Sequence, residues 1–108
     1  MPEGKLERYR LTLAAQADLA AIWIYTAETW SAAQAEAYVG GIRRTLDLLL
    51  AHPLMARERT EIDPPVRIHR HRAHLIVYRV EAPYLVVIRI RHGHEDWLED
   101  PYGGAGES

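Results

Sequence analysis

The first pattern along the chain is a two-residue alternation over residues 6–13. Successive side chains of a β-strand point to opposite faces, so this alternation predicts a strand with one buried face. The odd-numbered positions carry the apolar side chains Tyr9, Leu11 and Leu13, and the even-numbered positions carry the polar side chains Arg8, Arg10 and Thr12.

Residues 14–30 are rich in alanine and carry larger side chains at intervals of three and four, which predicts a helix with one main contact face. Thr12 is suited to cap its start, and Asp18 lies in an early turn. The predicted stripe comprises Leu19, Ile22, Trp23, Thr26 and Trp30.

A second helix is predicted over residues 32–51. Ser31 and Gln34 have the spacing of a capping box, and His52-Pro53 ends the helix because proline disfavours helical geometry in the residue before it. The two helices should form an antiparallel hairpin, with Gly40-Gly41 allowing their close approach. The apolar stripe is Tyr38, Val39, Ile42, Leu46, Leu49 and Leu50.

After a polar connection at 53–65, three strands are predicted at 66–72, 74–80 and 84–92, the last two joined by a turn at 81–83. On the last strand, alternation assigns Tyr84, Val86, Ile88 and Ile90 to one face and Leu85, Val87, Arg89 and Arg91 to the other. The order β-α-α-β-β-β predicts an α+β fold, an antiparallel sheet with the helical hairpin on one face. We expect a single domain over residues 1–100 and a flexible C-terminal tail at 101–108.

Charge is segregated along the 108 residues, although the net charge is only −2. Residues 67–92 carry six arginines against Glu81, whereas residues 93–108 carry five acids and no lysine or arginine. The chain has no cysteine, no long apolar run and no secretory signal, which predicts a cytoplasmic protein without disulfides or membrane spans. The low net charge also argues against direct, indiscriminate nucleic-acid binding.

Three arginines lie at the ends of apolar strands: Arg79, Arg89 and Arg91. Two interpretations remain open. In the first, the three arginines are solvated strand ends. In the second, they form a cationic patch at one end of the sheet that receives phosphates or a partner's carboxylates.

The histidines form two His-x-His pairs, His69 with His71 and His92 with His94. A zinc site is disfavoured because neighbouring arginines repel a dication, so no metal or other cofactor is expected. Acid–base chemistry by His92 or His94 beside the arginines is conceivable, but nothing in the spacing requires it. Trp97 is either a cover for the sheet or an anchor for a partner.

The order of these elements and three segments resemble the RelE/ParE toxin superfamily of bacterial type II toxin–antitoxin modules. The segments are Leu11–Leu19 followed by Ile22-Trp23-Ile-Tyr25; Val66-Arg67 with His74–Arg79; and Val87–Gly93 with its terminal His-Gly. The resemblance spans residues 8–98 and is closer to the ParE type. His94-Glu95 departs from an Arg-Arg pair that ParE relatives often carry.

The resemblance implies a toxin that inhibits DNA gyrase by binding, with no catalytic residue, and that a ParD-like antitoxin neutralises by wrapping it in a hetero-oligomer. The alternative is a RelE-like ribosome-dependent mRNA interferase. On this basis the expected target-binding residues are Arg79, Arg89, Arg91, His92, His94 and Trp97. The expected antitoxin-binding residues are Trp23, Trp30, Tyr38, Arg67, Arg70 and Arg72.

Overall fold

A computed structural model of the chain describes residues 6–93. It confirms the predicted order of elements and adds one short strand within the connection between the second helix and the next strand. The expected tail at 101–108, His94 and Trp97 lie outside the described residues. The elements are β1 (Arg8–Leu11), α1 (Leu13–Thr29), α2 (Ala32–Ala51), β2 (Glu58–Arg59), β3 (Val66–His71), β4 (His74–Glu81) and β5 (Tyr84–His92).

The five strands form one sheet in the order β1-β5-β4-β3-β2. The pairs β2–β3, β3–β4 and β4–β5 are antiparallel, as predicted. The pair β1–β5 is parallel, with Arg8 opposite Tyr84 and Leu11 opposite Val87. The predicted antiparallel sheet is confirmed, and β1 adds one parallel pair at its edge. No tight turn joins β1 to β5, because the helical hairpin and the other strands intervene, so local connectivity does not impose their direction.

Both helices begin at the residues that the sequence identifies as caps. Thr12 Oγ1 accepts the backbone N–H of Ala15 at 3.0 Å and donates to the carbonyl of Ile88 at 2.7 Å, which ties the start of α1 to β5. Ser31 Oγ accepts the backbone N–H of Gln34 at 3.0 Å. Each cap satisfies a donor that the first helical turn would otherwise leave without a partner. Within the described residues, no helix is long and apolar enough to cross a membrane.

The main core lies between the helical hairpin and one face of the sheet. Both helices and the strands β4 and β5 contribute: Leu19 and Ile22 from α1, Val39, Ile42, Leu46 and Leu49 from α2, and Ile76, Tyr78, Leu85, Val87 and Ile90 from the sheet. A second cluster, Ile62, Val66, Val77 and Ile88, packs separately. Since Val77 lies between Ile76 and Tyr78 on β4, this cluster is on the opposite face, and Ile62 of the connection helps to cover it.

A β-bulge on β5 changes the predicted alternation. Val77 is opposite Arg89 and Tyr78 is opposite Val87, so Ile88 is an extra residue in β5. A bulge shifts every later side chain by one position relative to the partner strand. Ile90 therefore joins the main core together with Leu85 and Val87, and the predicted grouping of Arg91 with those two residues was wrong.

The glycine pair of α2 has a different role from the one predicted. A Cβ added at Gly41 would lie 3.4 Å from two ring atoms of His71 on β3, and one added at Gly40 would meet only the Arg44 side chain, at 3.6 Å. Neither position has an atom of α1 as its near neighbour. The close approach is therefore between α2 and the β3 imidazole, and the prediction of close helix–helix approach here was wrong.

Candidate partner-binding groove

A groove of about 700 Å³ opens between the helical hairpin and the end of the sheet where β3 turns into β4. The C-terminal half of α1 and the N-terminal half of α2 form one wall, and the β3–β4 turn with the end of β5 forms the other. The lining residues are Ala21, Ile22, Tyr25, Thr26, Trp30, Gln34, Ala37, Tyr38, Arg72, Ala73, His74 and His92.

The helical wall presents large aromatic side chains to solvent. Trp30 is 74% exposed and Tyr25 is 68% exposed, whereas Ile22 beside them is buried. The small side chains of Ala21 and Ala37 line the groove together with these rings. Exposed aromatic side chains that border a concave surface are typical of protein interaction sites, because a partner removes their apolar area from water.

A connected group of one phenol and three imidazoles links the helical wall to the sheet. Tyr38 Oη lies 2.7 Å from His74 Nδ1, and the two rings meet edge to face with centroids 5.5 Å apart. His74 is in a similar contact with His92 at 5.3 Å, and Tyr38 contacts His71 at 5.6 Å. The β4–β5 register places His74 directly opposite His92, which is why residues 18 positions apart meet here.

Burial raises the pKa of Tyr38, although a backbone hydrogen bond with Ala73 and the charge of Arg72 oppose the rise. The Tyr38 hydroxyl is therefore neutral at physiological pH. A neutral phenol both donates and accepts a hydrogen bond, so it suits either protonation state of the neighbouring imidazole.

His71 anchors α2 to the sheet. Its Nδ1 lies 2.9 Å from Thr45 Oγ1, and Gly41 leaves room for the ring. Burial lowers the pKa of His71, and the nearby charges of Arg72, His69 and Arg44 lower it further. His71 is therefore a structural neutral imidazole below the groove rather than a surface cation.

Arg89 makes a two-point contact with Asp18 of α1. Its Nε and Nη2 lie 2.7 and 2.8 Å from the two carboxylate oxygens, and the backbone N–H of Ile90 donates to Oδ2 at 2.9 Å. The two side chains are only 18% and 15% exposed. The guanidinium predicted to bind a target thus joins α1 to β5.

Arg79 and Arg91 lie far apart. Arg79 is opposite Val86 and forms an ion pair with Glu81 at 2.7 Å, whereas Arg91 is opposite Leu75 and only 8% exposed. On β4, four residues separate Leu75 from Arg79, about 13 Å along the strand. The three arginines consequently do not form one patch at one end of the sheet, because neighbouring antiparallel strands end at opposite edges.

The residues expected to bind an antitoxin divide into two groups. Trp30, Tyr38 and Arg72 line the groove. The others lie outside its lining: Trp23 Nε1 donates to Glu36 Oε2 at 3.1 Å, Arg67 Nη1 donates to the Ala56 carbonyl at 2.6 Å, and Arg70 Nη1 donates to the Arg72 carbonyl at 3.1 Å.

The groove also contains residues to which the sequence pattern assigned no partner role: Tyr25, Gln34 and His74. Tyr25 lies three positions after Ile22 and so borders the apolar stripe. This spacing is visible in the sequence and could have identified Tyr25 as a groove residue. His74 carried no such signal, because its position depends on strand register. His92, expected to contact a target, lines this groove as well.

The two His-x-His pairs do not assemble a metal site within the part of the chain that the structure describes. His69 and His71 are on β3 and His92 is on β5, and residues 6–93 hold no group of three or more histidine, cysteine, aspartate or glutamate side chains placed to bind one ion.

Comparison with known proteins identifies the family. The family model "ParE toxin of type II toxin-antitoxin system, parDE" matches residues 9–97. Toxin ParE1 of Mycobacterium tuberculosis (strain ATCC 25618 / H37Rv) is 36% identical over 90 residues, which are 82% of this chain and 92% of the relative. Toxin ParE1 of Caulobacter vibrioides (strain ATCC 19089 / CIP 103742 / CB 15) is 30% identical over 87 residues, which are 81% and 90% of the two chains.

The fold is shared with a chain of a solved structure described as "Chromosomal ParDE TA system from P. aeruginosa". The TM-score is 0.68 at 22% sequence identity, over 83% of this chain and 98% of that one. The family match covers most of the chain, including both helices and every strand that forms the groove. The chain therefore belongs to the ParE toxin family of type II toxin–antitoxin systems.

Proposed function

We propose that this protein is a toxin that inhibits DNA gyrase and that a ParD-like antitoxin neutralises it by occupying the groove beside the helical hairpin. The observation that supports the antitoxin site best is the pair of exposed aromatic side chains, Trp30 and Tyr25, on a concave surface with Arg72 on its other wall. An antitoxin helix with an apolar side fits such a groove, with its side chains between the aromatic rings.

Membership of the ParE family supports gyrase as the target, and we retain Arg79, Arg91, His92, His94 and Trp97 as candidates for target contact. Arg89 has a different proposed role. Since Asp18 binds its Nε and Nη2, Arg89 orders β5 against α1 and influences target binding through that order.

An mRNA interferase is the second candidate, because one observation favours it. The Tyr38 hydroxyl is hydrogen-bonded to His74, the His74 ring contacts His92, and Arg72, which is able to bind a phosphate, lines the same groove as these acid–base groups. The same group also suits recognition of a protein carboxylate, and for a ParE family member we favour that role.

The experiment compares both activities of the purified toxin. We expect it to block DNA supercoiling by gyrase, to leave ribosome-bound mRNA intact, and to lose the gyrase effect when its cognate ParD-like antitoxin is added. The His92→Gln variant is measured in both the gyrase assay and the mRNA assay. The matched control is Ile24→Ala, an exposed position on α1 outside the groove. Codon-dependent mRNA cleavage with unaffected gyrase would instead support the interferase.

A further inference from the structure

A second basic site lies one turn along α2 from the groove, where the helix carries its two glycines. Gly41 follows the groove residue Tyr38 by three positions, so the two lie on the same side of the helix. The Arg44 guanidinium lies back over the glycines, with Nη1 3.6 Å from the Cβ position of Gly40 and Nη2 3.8 Å from that of Gly41. The absence of side chains at these two positions lets the guanidinium lie against the helix.

The other side of this site is formed by the end of β3 and the β3–β4 turn. The His71 ring is its floor, with Cε1 and Nε2 3.4 Å from the same Gly41 Cβ position that Arg44 approaches. The charges of Arg72, His69 and Arg44 all act on this ring and lower its pKa, so guanidiniums from the turn and from α2 lie around one neutral imidazole. We call Gly40, Gly41, Arg44, His71 and Arg72 the arginine site.

Neither guanidinium of the arginine site has a carboxylate partner among the described residues. The arginines that form ion pairs within residues 6–93 are Arg59, Arg79 and Arg89. Asp47 lies three positions after Arg44 on α2, and the two side chains do not form an ion pair. Two like charges around one ring repel each other, and an anion placed between them would relieve that repulsion.

The backbone of Arg72 supports a binding role for its side chain. Its φ is 52°, in the left-handed region. This conformation is disfavoured for most residues other than glycine, asparagine and aspartate, so an arginine here lowers the stability of the fold. Such a residue is expected where the side chain serves binding rather than folding. The Arg72 side chain is exposed and also lines the groove.

Resting on the proposed antitoxin site, we infer that the antitoxin segment continues beyond the groove over Gly41 and places an aspartate or glutamate between Arg44 and Arg72. A carboxylate accepts two parallel hydrogen bonds from a guanidinium, which gives the acidic side chain a defined orientation. A single continuous segment is favoured over a separate ligand because Arg72 belongs to both the groove and the arginine site.

The distance between the two sites predicts the spacing on the antitoxin. Gln34 in the groove and Arg44 are both on α2, about 15 Å apart along its axis. The acidic residue is therefore expected about ten residues from the residue over Gln34 if the segment is helical, and about five residues from it if the segment is extended.

The test measures the affinity of the full-length toxin for its cognate ParD-like antitoxin by titration calorimetry. We expect Arg44→Gln and Arg72→Asn each to weaken binding about tenfold or more, because each removes a charge-assisted hydrogen bond. Asparagine suits the left-handed backbone, so Arg72→Asn should maintain or raise the melting temperature of the free toxin. Arg43→Gln is the matched control, since it removes the same charge from the neighbouring exposed position of α2 and should change the affinity less than about twofold.

Neutralising each aspartate and glutamate of the antitoxin in turn identifies the carboxylate. The one bound at the arginine site should lose most of its effect on affinity when the toxin carries Arg44→Gln, which a double-mutant cycle measures.

Unchanged affinity in both Arg44→Gln and Arg72→Asn, with Trp30→Ala still weakening binding, would overturn this inference and leave the proposed antitoxin site standing. A lower melting temperature of the free toxin in both variants would assign the arginine site to a carboxylate of the toxin itself and overturn the inference as well. Binding of a DNA or RNA oligonucleotide to the free toxin that both variants abolish would make phosphate the ligand instead. Absence of antitoxin binding by the unaltered toxin would overturn the proposed function together with the inference.

Discussion

Asp18 and Arg89 join the first helix to the last strand through two parallel hydrogen bonds of 2.7 and 2.8 Å. They are 71 positions apart in the chain, and their side chains are mostly buried. The carboxylate also accepts the backbone N–H of Ile90 immediately beyond the β5 bulge. This contact therefore holds the helical hairpin at a defined place on the sheet and also stabilises the shifted part of β5.

Asp18→Asn should lower the free energy of unfolding by about 2–4 kcal/mol. The substitution removes the carboxylate charge that faces the largely buried Arg89 guanidinium, which costs more than the loss of an exposed pair. Urea denaturation of the toxin alone measures the effect. The control is Glu61→Gln, which removes the solvent-exposed pair with Arg59 and should cost much less than Asp18→Asn. Equal losses in the two variants would show that the Asp18–Arg89 contact does not hold the hairpin.

Trp30→Ala should weaken antitoxin binding by about 2 kcal/mol or more and leave the stability of the free toxin nearly unchanged. The ring is 74% exposed, so the fold loses little packing, whereas a bound partner would cover it. Surface plasmon resonance and thermal unfolding give the two values. Ile24→Ala, half-exposed and outside the groove, should change neither, and a Trp30→Ala toxin with unchanged affinity would place the antitoxin elsewhere.

The two glycines of α2 should respond differently to substitution. Gly40→Ala should stabilise the toxin by about 0.5–1 kcal/mol, since alanine is the better helix former and the new methyl group meets only the flexible end of Arg44. Gly41→Val should destabilise it, because the Cβ position is already 3.4 Å from the His71 ring and the branched side chain is larger. Chemical denaturation of both variants checks the difference. Stabilisation by both substitutions would mean that His71 does not occupy the space beside Gly41.

Stability should fall on mild acidification because of His71. Its folded-state pKa is lowered, so below the ordinary histidine range the unfolded chain binds a proton that the folded chain rejects. The loss begins as pH falls through the unfolded-state value and stops once the folded ring is protonated as well. Thermal unfolding from neutral to mildly acidic pH measures it, and His71→Gln should reduce the slope. An unchanged slope in that variant would assign the acid sensitivity to other groups.

Much of this fold follows from sequence patterns that span only a few neighbouring residues. Thr12 and Ser31 mark the helix starts, His52-Pro53 marks the end of α2, and residues 84–92 form a strand over the predicted range. Capping and apolar periodicity act within a few residues, so the sequence alone was sufficient to predict these elements and their order. Trp30, Tyr38 and Arg72 of the groove were predicted on the same basis, together with the family resemblance.

Contacts between distant elements depended on register and packing, which no local pattern encodes. The extra residue at Ile88 reversed the predicted environment of Ile90, and the antiparallel ladder separated Arg79 from Arg91. The same ladder brought His74 against His92, and helix docking paired Asp18 with Arg89. A shift of one residue in strand pairing moves a side chain to the other face. The sequence by itself therefore determined the elements and the family, whereas the tertiary structure decided which basic side chains line the groove and which are held within the fold.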